Sequence, residues 1–323
     1  MPATVTHAYF AKDVYDVLPD TVKENLDLDR LKMFGQGFDP IKFYNLFSIL
    51  PGKKIRDKDF YFHTHDTRDF FITILKTMKD KKLMNDKECF SFLSGFICHY
   101  VSDSNIHPYV IYKSGEFDKK KKNTFKYNNI HMFMEVFLDN DMVKRRENIN
   151  PYKFRLDKFC FDTKDFSINL DYVIDDVFKK IFYVNDMSYI YYKSCKQMKS
   201  ALYLFRRDRF GIKKNIYKLV DTFTPKNFFR FESVSYHYDL EDKHNFLNSN
   251  NKLWRNPTTY DITSNESFLE IYMRSIKEAS EIICASYDYL NGEDVNLNEV
   301  FTNKNYVTGL NCDLEKELKY FEF

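Results

Sequence analysis

Five candidate imidazole and carboxylate ligands fall within 37 residues of this chain, from His99 to Glu135. They read His99-x3-Asp103-x3-His107 and, after a lysine-rich interruption, His131-x3-Glu135. Residues four apart on a helix share one face, so His99 lies beside Asp103 and His131 beside Glu135. His107 precedes Pro108, which disfavours helical geometry at the residue before it, and is expected at the helix end or in the loop beyond. Imidazoles and carboxylates in this number suit a cluster of borderline divalent metals. A lone histidine on an apolar helix face is ordinarily a satisfied core residue; the repeated pair is what favours a metal site. The surrounding CFSFLSGFICHYV places Asp103 in a core element, where a carboxylate must be paired or metal-bound.

Three earlier segments add candidates. Thr6 suits the N-cap of a helix over HAYFAKDVYDVL, with His7 in its first turn. Asp39-Pro40, after the glycine-containing FGQGFDP, reads as an N-cap with Pro at the first helical position opening IKFYNLFSIL. Asp39 is then either that cap alone or a member of the cluster. His63 and His65 stand at the mouth of a helix whose buried stripe holds Phe70, Phe71, Ile74 and Leu75. Being two apart, they do not share a helical face, so one rather than both points inward.

The elements that position these residues are expected to be helical. The 323 residues include 33 Phe and 24 Tyr but only 8 Gly and 8 Pro, which favours long helices with aromatic packing over a turn-rich β fold. A second helix is expected from Asp20 through about Lys32, a polar loop over 51–62, and helices over 86–105, 128–145, 166–183, 187–207, 210–220 and 265–291. The pattern weakens only over 151–165. Residues 1–150 are thus read as a helical metal-binding part, and 151–323 as a helical continuation packed on it as one unit.

Formal charge is +2, so no global field points to nucleic acid. The six cysteines lack CxxC spacing and read as reduced core thiols. Lys119–Lys122 interrupt the cluster in a loop that is either simply solvated or in peripheral contact with an anionic membrane. The MPATVTHAYF start has no basic-then-apolar leader pattern, and no apolar run of about 18 residues occurs. A soluble cytoplasmic protein is expected.

Taken in order, Thr6-His7, Asp39 in its Gly-containing loop, the His63/His65 segment, His99-x3-Asp103 with His107 beyond, and His131-x3-Glu135 resemble the bacterial zinc-dependent phospholipase C family. The resemblance covers roughly residues 1–140. It implies an all-α, multi-helix bundle with a metal cluster in a cleft between helices and two to three zinc ions per chain. By the same resemblance, Asp39, His63, His99 and Asp103 serve one ion, His107, His131 and Glu135 a second, and His7 with Asp103 as bridge a third. His63 is preferred over His65 because its distance to the following DFF segment matches the family better. Secreted members complete the third site with an N-terminal Trp. Here the start is Met1-Pro2, and a terminal amine on Pro2 is the substitute this sequence offers. Toxin members also carry a C-terminal β-sandwich, which residues 166–323 do not resemble.

The implied activity is a metal-dependent phosphodiesterase of phospholipase C type, acting on a phospholipid or related phosphodiester through metal-activated water. Asp39 is the candidate general base or water-orienting residue. The alternatives are a non-catalytic zinc-bound scaffold, favoured by the missing Trp, and a single-strand nuclease of the same fold. The nuclease is the weaker, since no basic groove with stacked aromatics is recognisable.

Overall fold

Apolar residues at helical spacing build helices along nearly the whole chain. The computed structural model describes residues 4–46, 48–118, 120–228, 230–237, 242, 244–314 and 317–322. In order, the helices are α1 (Thr4–Val17), α2 (Asp20–Lys23), α3 (Leu28–Phe34), α4 (Lys53–Arg56), α5 (Asp59–Thr64), α6 (Thr67–Asp80) and α7 (Lys87–Ser114). There follow α8 (Ile130–Glu147), α9 (Leu156–Cys160), α10 (Ile168–Phe182), α11 (Met187–Ala201), α12 (Ile212–Phe223), α13 (Phe268–Leu290) and α14 (Leu297–Val300). Among the described residues the only paired strands are the two-residue segments Trp254–Arg255 and Thr263–Ser264, antiparallel. The fold is all-α.

α7 is the central element. It is apolar nearly all round, as a fully buried helix must be, and α3, α13, α1 and α8 pack against it. α6, α10 and α11 form a second group, with α11 against the short 3-10 turn Asp39–Phe43. Between the groups the phenylalanines condense around Phe38, whose ring centroid lies 5.1 to 5.4 Å from those of Phe96, Phe70 and Phe62. All six cysteines are free, and Cys89, Cys98, Cys160 and Cys195 are buried.

Several local expectations are corrected. Thr6 lies inside α1 rather than capping it, because the first-turn amides are capped from another helix. Asp139 of α8 accepts from Val5 N at 3.0 Å, Thr6 N at 2.7 Å and Thr6 Oγ1 at 2.7 Å. The expected helix from Asp20 to Lys32 is broken into α2 and α3, the second capped by Asp27. Asp39-Pro40 opens only a 3-10 turn, and Asp39 makes no side-chain cap. The expected loop over 51–62 holds α4 and α5, so His63 ends one helix rather than opening the next.

His107 is the main correction: α7 continues through Pro108 to Ser114 instead of stopping there. Proline removes the amide that would bond the Ser104 carbonyl. Gly309, at a φ of +67°, packs against that carbonyl so closely that a Cβ would lie 2.4 Å from Ser104 O, while its own amide donates to Asn305 O at 2.8 Å. A close backbone packing from the far end of the chain thus covers the break. The weakly patterned segment 151–165 is tied back as well. Arg30 donates to the carbonyls of Asp162, Lys164 and Asp165 at 3.2, 3.0 and 2.7 Å and pairs with Glu88 at 2.7 Å.

Candidate metal centre

α1, α5, α7 and the Asp39–Phe43 turn bring His7, His63, His99, Asp103 and Asp39 into one buried cluster. Two groups of three place their donor atoms within 4.8 Å of one another: His7, His99 and Asp103, and Asp39, His63 and His99. Gly37 makes the approach possible. At its φ of +52° a Cβ would sit 1.9 Å from His99 Cδ2, so the turn before Asp39 lies flat on the imidazole only as glycine.

Hydrogen bonds fix which nitrogen faces the cluster. Ser102 Oγ donates to His99 O at 3.1 Å and therefore accepts from His7 Nδ1, also 3.1 Å away. His63 Nδ1 lies 2.7 Å from Asp59 O and donates to it. In both rings the lone pair is left on Nε2. His7 Nε2 then faces Asp103 Oδ1 at 3.3 Å, and His63 Nε2 faces Asp39 Oδ1 at 3.7 Å and His99 Nε2 at 3.3 Å. An imidazole lone pair against a carboxylate oxygen is two acceptors without a proton. His7 Nε2 and both Asp103 oxygens are buried without a hydrogen-bond partner. Burial also holds His99 well below the usual histidine range, so it is neutral, the form that ligates metal. Buried acceptors converging in this way fit a divalent cation.

Asp39 differs from Asp103. Its Oδ1 accepts from Lys42 Nζ at 2.7 Å, and Lys42 reaches Asp59 at 3.4 Å. Burial nevertheless pushes the Asp39 carboxyl up, outweighing Lys42 and His63.

His107, His131 and Glu135 form a second, more open set between α7 and α8. His131 Nε2 lies 2.9 Å from Glu135 Oε1, and its Nδ1 3.1 Å from Ser114 Oγ. The His107 and His131 ring centroids are 5.3 Å apart, and His107 Nδ1 reaches Tyr306 O at 3.2 Å. The three donor atoms are not drawn to the mutual distance of the two buried groups. Both Asp103 and Glu135 act on His107, so the sets adjoin. His107 and His131 line a largely apolar cavity of about 670 Å³ with Phe60, Phe117, Met132 and Phe228 among its walls.

The structure separates the two early histidines. His63 is buried in the cluster, whereas His65 is exposed and stacked on Tyr61 with centroids 4.2 Å apart. Met1 to Ala3 and Lys119 lie outside the described residues, so the Pro2 amine and part of the Lys119–Lys122 contact carry no structural account. Lys120, Lys121 and Lys122 are exposed.

Sequence reasoning missed several supporting groups. Lys42 and Asp59 were visible as Asp39-x2-Lys42 and Asp59-x3-His63, both at helical contact spacing. Tyr306 had no local signal. Its ring lies 5.2 Å from that of His63 and 5.6 Å from that of His99, its amide donates to His63 O at 2.9 Å, and its hydroxyl is buried without a partner.

The pattern of the family described as zinc dependent phospholipase C matches residues 6–188, which contain all eight proposed ligands. No curated protein and no solved structure matches the chain.

Proposed function

The chain belongs to the zinc-dependent phospholipase C family, a family of hydrolases, and from that membership we propose that it is a metal-dependent phosphodiesterase cleaving a phospholipid or related phosphodiester. The observation that carries the reading is the unpartnered Asp103 carboxylate between the His7 and His99 imidazoles. Zinc bound there would supply a nucleophile at neutral pH, by lowering the pKa of water to about 7, and offset charge on a phosphoryl oxygen.

The chain's own residues divide the remaining work. His7, His63, His99 and Asp103 hold the buried end. A neutral imidazole has one lone pair, so His99 serves one ion, whereas Asp103, with Oδ1 toward His7 and Oδ2 toward His99, is able to serve two. Asp59 and Ser102 fix the His63 and His7 tautomers. Asp39 is the proposed proton acceptor or water-orienting group, and Lys42 holds one of its oxygens. His107, His131 and Glu135 hold the end that opens on the cavity, whose apolar walls suit the non-reacting part of a lipid and exclude water.

Metal analysis of the purified protein combined with hydrolysis of p-nitrophenyl phosphorylcholine tests the proposal. Two to three zinc ions per chain and chelator-sensitive hydrolysis are expected. Metal-replete protein inert toward every phosphodiester tried would replace the enzyme with a zinc-bound scaffold.

A further inference from the structure

A helix on a folded protein normally hides one face. No residue of α12 is buried, yet its apolar side chains gather on one side. Ile212, Ile216, Leu219, Val220 and Phe223 recur at helical steps of three and four, with Ile212 59 %, Leu219 62 % and Phe223 81 % exposed. Leu204, Phe210 and Phe228, before and after the helix, are exposed as well. So much unpartnered apolar surface in one segment marks an interaction site.

The charge on this segment is one-sided. Residues 203–228 contain seven lysines and arginines and two aspartates. Both aspartates are turned onto backbone amides. Asp208 accepts from Lys213 N at 3.2 Å and Lys214 N at 2.7 Å, and Asp221 accepts from Phe231 N and Glu232 N, both at 2.8 Å. They anchor α12, and the basic residues of the segment exceed them by five. Strong amphipathicity, basic flanks and aromatic side chains on the apolar face describe a helix lying in a lipid interface.

We propose that α12 docks the protein on an anionic phospholipid bilayer, with its apolar face in the acyl boundary and its lysines against the head groups. A second patch continues the field. Asn128 Nδ2 donates to the carbonyls of Lys226 and Phe228, both at 2.7 Å, which seats the loop carrying exposed Lys120, Lys121 and Lys122 beside the same segment. Asn227 and Phe228 also line the cavity that contains His107 and His131. The docking face therefore runs to the cavity mouth. The inference does not depend on the hydrolytic reading, since a protein without activity would bind membranes in the same way.

Sedimentation with phosphatidylcholine vesicles, with and without phosphatidylserine, tests it directly. Wild-type protein should bind the phosphatidylserine vesicles, and binding should weaken as salt is raised. Combined Ile216→Glu, Leu219→Glu and Phe223→Glu should lower it at least tenfold while helical content and zinc content stay as in wild type. Lys218→Glu with Lys226→Glu should lower binding to the anionic vesicles alone. Wild-type protein that stays unbound, or a triple variant that binds as well as wild type, overturns the proposal. A wild-type dimer that the triple variant dissociates also overturns it, by assigning the face to a second copy of the chain.

Discussion

Asp103→Asn keeps the shape of the side chain and removes the charge on which the buried cluster converges. Each zinc site held at about 100 times its dissociation constant adds about 2.7 kcal/mol to stability. Two sites that depend on Asp103 thus add about 5.4 kcal/mol. Unfolding entropy near 2.1 cal/mol/K per residue, over 323 residues, gives about 0.7 kcal/mol per degree. Saturating zinc should therefore raise the wild-type Tm by at least about 8 °C. In Asp103→Asn no carboxylate faces both His7 and His99, so more than one ion should be lost. The zinc-induced shift should fall to about 4 °C or less, the share of a single remaining site. Calorimetry with and without zinc, alongside metal content, measures both quantities, and circular dichroism checks that the metal-free variant folds. A variant that keeps its full zinc and the wild-type Tm shift would refute the bridging role. Loss of one ion only would reduce Asp103 to an ordinary ligand.

Glu135→Gln should cost the solvent-facing ion and lower phosphodiester hydrolysis at least about 100-fold, the scale of losing a directly acting group, with helicity unchanged. A variant that changes stability alone would favour the scaffold. Asp139→Asn weakens the charged acceptor of Val5 N, Thr6 N, Thr6 Oγ1 and Tyr236 OH and should cost about 2–4 kcal/mol in urea unfolding. Because those bonds seat the turn carrying His7, zinc affinity should drop with it. Tyr306→Phe removes a buried hydroxyl that has no partner, so metal-free stability should hold or rise by up to about 1 kcal/mol; a clear loss would show that the hydroxyl is bonded. Burial lowers the pKa of His99 and of His107, so the unfolded chain binds protons there that the folded chain does not. Metal-free stability should thus fall as pH drops below about 6.5, by up to about 1.4 kcal/mol per pH unit for each group. Urea midpoints at pH 7.5 and 5.5 measure the slope, and an equal midpoint at both would refute it.

The helical class was legible because aromatic and aliphatic residues recur at helical spacing while turn formers are scarce. α10, α11 and α13 lie close to where periodicity alone placed them. The errors arose where distant residues decide local structure. Thr6 looks like a cap until Asp139, 133 residues away, occupies its amide. His107 looks like a helix end until Gly309 covers the carbonyl that Pro108 leaves unpaired. In the cluster, spacing identified pairs on one helix, such as His99 with Asp103. It could not show that Gly37 lies against His99, nor that Ser102 and Asp59 choose the tautomers, since those contacts depend on packing. Tyr306 was invisible for the same reason.

The contact of Tyr306 with the cluster bears on the order in which the protein is made. Its carbonyl meets His107 across 199 residues. At a synthesis rate of about 5–20 residues per second, the ribosome completes the histidines about 10–40 s before it adds the segment that packs over them. During that interval the emerging helices bear His63, His99 and His107 without the tyrosine ring, the backbone carbonyl and the glycine contact that later cover them. Metal capture by the nascent chain would therefore meet a more open and less discriminating site than the finished protein presents. Chains halted before Asn303 should be found holding zinc loosely, in ready exchange with chelators, rather than empty.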